Sequence, residues 1–101
     1  MARILRQNAE RLLGDVPAHC VFWCCDGRVF RNMGDLGEAL PSMAEETFAY
    51  HWNEERCDFS NWVRDVIGDE KLARDLAKSS NPAQAARRVS DRVAFLSARQ
   101  A

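Results

Sequence analysis

Six side chains of this 101-residue sequence belong to types that hold metals or move protons: His19, Cys20, Cys24, Cys25, His51 and Cys57. A structural zinc needs four such groups converging tetrahedrally, commonly as paired knuckles, and the chain has no C-x2-C pair. On a strand Cys20 and Cys24 share a face while Cys25 points the other way. Free cysteine mostly behaves as a small buried hydrophobe. The metal candidates Cys20, Cys24, His51 and Cys57 are therefore read as core packing, and no metal or other cofactor is expected. His51 between Phe48 and Trp52 has the makings of a general base, with Asp58 or Glu54 to orient it and Cys57 as a neighbouring nucleophile. Nothing completes that site. The chain lacks a strand-to-helix nucleophile elbow, a Gly-rich phosphate loop and a carboxylate cluster on one helix face. No catalytic residue is assigned, and the chain reads as non-enzymatic.

The same residues make better sense as architecture. His51, Asp58 and Trp62 are expected to converge where a helix over 43–52 meets one over 58–67. In that structural latch Asp58 caps its own helix with one oxygen and accepts from His51 with the other. Trp62 lies in an apolar stripe and is assigned to the core, as is Trp23. Trp52 and Tyr50 are the aromatics expected at the surface.

Arg88, Arg92 and Arg99 share a stripe of the last helix with Phe95. With Arg3 and Arg6 they form a candidate contact for nucleic acid or an acidic partner. The plainer reading is a solvated helix edge, helped by Arg87 near Asp91. The helix–Gly–helix pattern over 58–77 has the outline of a helix-turn-helix, but Arg74 falls where its second helix needs an interior residue.

These side chains must be carried by elements whose signals are mostly local. Ile4, Leu5, Ala9, Leu12 and Leu13 mark one face of a helix stopped by Gly14. The stretch "AHCVFWCCDGRVFR" reads as a hairpin on an Asp26-Gly27 type I′ turn. That pairing sets Trp23 opposite Phe30 and Cys24 opposite Val29, with both faces apolar and largely covered by helices. Asn32 is an N-cap for a run through Met33, Leu36 and Leu40 that Pro41 ends. "SMAE" forms a capping box from Ser42 to Glu45, opening a helix with Phe48, His51 and Trp52 on one side. Phe59, Trp62, Val63, Val66 and Ile67 form the next buried stripe. Gly68 closes it in the left-handed conformation and Asp69 starts a helix burying Leu72, Ala73 and Leu76. "NPAQ" at 81–84 opens a last helix to about residue 98, with Ala85, Ala86, Val89, Val93 and Leu96 inward. The fold class is α+β and mostly helical: an N-terminal helix, a β-hairpin, then four short-to-medium helices around one core. Residues 1–101 are read as a single domain.

Composition narrows the classes. Apolar residues at 47% and charged ones at 29% are globular proportions, which argues against disorder. No apolar run approaches the ~20 residues of a membrane span, and Gln7, Asn8, Glu10 and Arg11 interrupt what a secretory signal would keep apolar. A cytoplasmic protein with free thiols is the expectation. Net charge is −1, but residues 1–11 hold three Arg against one Glu and 82–101 four Arg against one Asp, around a middle with seven bases and thirteen acids. Such segregation suits ends that fold onto the middle, meet it across a subunit interface, or stay free for an anionic partner.

The order Phe48-x-x-His51, Asp58-Phe59-x-x-Trp62, Gly68-Asp69-x-x-Leu72-Ala73, preceded by an aromatic strand pair and "LGEAL", resembles an uncharacterised family of small prokaryotic domains of unknown function. The likeness covers about residues 20–97. Members often have Asn before the Asp-Phe pair, where this chain has Cys57. The resemblance implies a domain found alone or attached to others, and it brings no activity. Three readings follow: a protein-interaction or self-association module, with a protein partner or its own copy; a nucleic-acid binder through the Arg stripe; and a Cys/His metal or thiol redox site.

Overall fold

The computed structural model describes residues 6–53 and 55–100. The described residues are 69% helical with one small antiparallel hairpin, a mostly helical α+β fold. Helix α1 (Arg6–Leu13) leads into strands β1 (Phe22–Trp23) and β2 (Val29–Phe30). Then come α2 (Met33–Ala39), α3 (Glu45–His51), α4 (Asp58–Trp62), α5 (Glu70–Ala77) and α6 (Pro82–Gln100). Among the described residues five helices follow the hairpin, one at each of the five helical runs marked in the sequence, against the four of the expected architecture.

Helix boundaries follow local chemistry at several points. Asn32 accepts from the Asp35 amide at 2.8 Å, Asp69 from Leu72 at 3.1 Å and Asn81 from Gln84 at 2.9 Å, each satisfying an amide that has no partner within its helix. After α4 the chain runs on through a wide turn, Val63–Ile67. Gly68 ends it at φ 93°, so that both Gly68 and Asp69 amides donate to the Val63 carbonyl. Only a residue without Cβ takes that conformation cheaply.

The capping box at 42–45 does not form. Leu40–Ser42 make a 3-10 turn, and the Ser42 hydroxyl donates to the Ala39 carbonyl instead. α3 starts at Glu45 behind an uncapped Ala44. Met43 explains the displacement: it is buried in extended backbone between the two helices.

The hairpin differs as well. Phe22 pairs with Phe30 and Trp23 with Val29. The Cys24 amide donates to the Arg28 carbonyl and Gly27 back to the Cys24 carbonyl. Only Gly27 of the turn residues has positive φ, at 96°. This is a three-residue loop with glycine in the left-handed position, not a type I′ turn, which needs positive φ twice. The pairing is shifted by one residue, and such a shift exchanges the faces of a strand. Phe22 and Cys24 turn inward, while Trp23 is 73% exposed rather than in the core.

One contiguous cluster of buried side chains joins the elements, with Leu36, Leu40, Phe59, Val63, Leu72, Val89 and Leu96 at its centre. α6 is the spine, lying against α1, α2 and α5. A Cβ on Gly37 would stand 3.0 Å from Val89 Cγ1, so glycine lets α2 approach α6 closely. No described helix is long and apolar enough to cross a membrane.

Candidate functional site

Two places collect the chemically able side chains: the inner end of the hairpin and the groove between α5 and α6. The first is organised by the turn from α3 to α4. Trp52 and Cys57 form an isolated antiparallel bridge, and Asn53 and Arg56 exchange backbone hydrogen bonds inside it. The bridge folds the chain back so that its flanking residues, His51 and Asp58, face each other.

His51 Nδ1 lies 2.8 Å from Asp58 Oδ2, and the Cys25 backbone amide donates to His51 Nε2 at 3.0 Å. Because Nε2 accepts, the proton of the neutral ring sits on Nδ1 and is donated to the carboxylate. The imidazole is buried, edge-on to Phe22 and Tyr50 and against Phe59. Asp58 also receives Arg56 Nη2 at 3.1 Å, and the Arg56 guanidinium lies 4.5 Å over the Tyr50 ring. Trp62 is buried, edge-on to Phe22, and its indole donates to the Cys20 carbonyl at 2.8 Å.

The structure therefore brings His51 and Asp58 into direct contact and joins Trp62 to them through Phe22. Together His51 and Trp62 hold the chain on both sides of β1, Trp62 at Cys20 before it and His51 at Cys25 after it. One expected half of the arrangement is absent: Asp58 does not cap its helix. Cys57 occupies the cap position and Asp58 the first helical residue, and Asp58 turns one oxygen, Oδ2, to both His51 and Arg56 instead. Both nitrogens of His51 are engaged, which leaves no lone pair for a proton from Cys57. Burial also pushes the Cys57 thiol above its ordinary range.

Among the described residues, Cys24, Cys25 and His51 gather with their ligand atoms all within 4.8 Å of one another. Cys20 and Cys57, two of the metal candidates, are not part of this cluster. Strand alternation had separated Cys24 from Cys25, but Cys25 lies in the turn, where alternation no longer holds. No spacing along the chain marks a Cys-Cys pair and a histidine 26 residues later. Cys24 is buried, and its thiol is pushed up to about 11 by that burial. Cys25 is exposed.

The second place disperses the arginine stripe. Arg92 is not a surface cation. Its Nε and Nη2 lie 2.7 and 3.1 Å from the Asp69 carboxylate, with side-chain exposures of 10% and 1%. Arg88 donates to the Asp75 carbonyl at 3.2 Å and sits 3.9 Å from its carboxylate. Arg6 pairs with Glu10 on its own helix. Arg3 lies outside the described residues, as do Ile4, Leu5 and Glu54. Arg99 lies 4.2 Å over the Phe95 ring, which is 38% exposed. With Lys71, Arg74, Arg88 and Arg92, Phe95 lines a groove of about 610 Å³ that also carries Asp75 and Asp91. Of the two expected surface aromatics, Tyr50 is exposed, whereas Trp52 is half-buried and donates to the Leu76 carbonyl at 3.2 Å.

No family model matches the chain, and no curated protein or solved structure is found similar to it.

Proposed function

We propose that the chain is a non-enzymatic interaction module that receives an acidic segment of a partner protein, carrying an apolar residue among its carboxylates, in the groove between α5 and α6. The observation that carries this reading is Phe95, a large aromatic left partly open, with the Arg99 guanidinium stacked on it at 4.2 Å. The groove lining adds more bases than acids. Arg74 and Arg99 have no ion-pair partner among the described residues, so they are available to carboxylates. Aromatic and arginine side chains together are the usual energetic anchors of protein interfaces.

Nucleic-acid binding is the weaker reading, for a physical reason. It needs several cations free to neutralise phosphates, and Arg92, Arg88 and Arg6 already face carboxylates of the same chain. Titration of the protein into a labelled peptide of Glu and Asp residues around one Leu, followed by anisotropy at low salt, tests the proposal. Binding is expected to fall with added salt. The double variant Arg74→Ala, Arg99→Ala should lose about tenfold in affinity. No binding at low salt, or the same affinity in the double variant, overturns it. A single-stranded oligonucleotide bound more tightly than the peptide would transfer the groove to the second reading.

A further inference from the structure

We propose that Cys24, Cys25 and His51 constitute a site for one thiophilic cation, zinc or copper(I), at the inner end of the hairpin. This does not depend on the groove between α5 and α6, which is built from other residues.

Three observations converge there. The two thiols and the imidazole come from segments far apart in sequence, yet their ligand atoms all lie within 4.8 Å of one another. Ligand atoms about 2.0–2.3 Å from a tetrahedral zinc stand roughly 3.5–3.8 Å apart. The cluster therefore needs to contract by at most about 1.3 Å, at a turn whose first residue, Cys25, is exposed.

The imidazole is also aimed. Asp58 accepts the hydrogen bond from Nδ1–H at 2.8 Å and so leaves Nε2, the atom facing Cys25, with the lone pair that can bind a cation. A carboxylate behind a ligating histidine is the arrangement that fixes ring orientation and raises ligand basicity in metal centres. Arg56 in turn holds Asp58 at 3.1 Å.

The third observation is how Nε2 is occupied. Its lone pair is engaged only by the Cys25 amide, at 3.0 Å. On metal binding that N–H exchanges its partner for water at an exposed turn, a change that costs little. Two thiolates and one imidazole are a soft set, suited to copper(I) with three ligands or to zinc with a fourth position taken by water. The exposed Cys25 provides the way in, while buried Cys24 and His51 close the inner side.

The test uses the full chain, reduced and free of oxygen. Cobalt(II) serves as the optical probe for the zinc site, followed by displacement with zinc. Copper(I) is measured in competition with a chromogenic chelator. One cation per chain is expected from at least one arm, with a thiolate-to-cobalt charge-transfer band if it is zinc. Cys25→Ser keeps the backbone amide that holds His51, so it should fold, as circular dichroism will show, and lose at least about tenfold in affinity. Asp58→Asn should lose about 10- to 100-fold. The double variant Cys20→Ser, Cys57→Ser should bind as the parent does. Failure to bind either cation at micromolar concentration overturns the site. So does unchanged affinity in Cys25→Ser, or loss of binding in the Cys20, Cys57 variant.

Discussion

Asp58 and Asp69 stand at the starts of neighbouring helices, and the two carboxylates do different work. Asp69 caps α5 through the Leu72 amide and, with the same side chain, accepts two hydrogen bonds from Arg92. Asp58 sits one residue inside α4, caps nothing, and divides itself between a neutral imidazole and an arginine 43% exposed. The dual role expected of Asp58 is thus carried out by Asp69. The lesson is one of location. At Asp69 a full ion pair is sealed between α5 and α6, where it ties the basic C-terminal helix to the acidic middle of the chain. At Asp58 the charge stays near water, and what is buried is an uncharged ring. Charges withdrawn from solvent are costly unless paired, whereas a neutral hydrogen-bonded ring risks only its own unsatisfied group.

The comparison breaks most easily at Arg92. Arg92→Ala leaves Asp69 buried with an uncompensated charge, and a loss of about 3–5 kcal/mol is expected in urea denaturation. A loss no larger than that of Asp58→Ala would erase the distinction between the two carboxylates. Asp58→Ala itself should cost about 1–3 kcal/mol, because the His51 Nδ1–H is left without an acceptor. Asp58→Asn keeps a carbonyl oxygen for that proton and should recover most of the loss. If Asn is as damaging as Ala, then charge rather than hydrogen bonding holds His51, and the two sites are more alike than their geometry indicates.

How far the sequence foretold these places depended on the range of the signal. Asn32, Gly68, Asp69 and Asn81 were legible as helix caps because each acts on amides within a few residues. His51 and Asp58 were legible as neighbours, since the short bridged turn between them leaves them little freedom to part. The pairing of Arg92 with Asp69 was not, because nothing in the stripe Arg88, Arg92, Arg99 shows which member will face an acid 23 residues earlier. Trp23 was misplaced by one residue of loop length. A two-residue turn at Asp26-Gly27 sends it inward, and the three-residue loop that forms sends it out. The same loop lifts Cys25 off the strand and toward His51. The cluster of Cys24, Cys25 and His51 and the exposure of Trp23 therefore share one cause.

The smallest effect belongs to that hairpin end and is absent at neutral pH. Cys24 holds its proton in the folded chain up to about 11, against an ordinary thiol value of 9.0, because its surroundings are dry. Between those two values the unfolded chain has lost this proton and the folded chain has not. Unfolding then releases a proton, so stability falls as pH rises from about 9 to about 11 and is level in this respect below 9. Denaturation midpoints of the parent and of Cys24→Ala, followed from about pH 8 to about pH 10.5 across the thiol region, should converge as the parent loses stability and the variant loses less. Parallel curves would mean that the Cys24 thiol is as wet as the exposed Cys25, and that the hairpin end closes over it less than its 6% exposure requires.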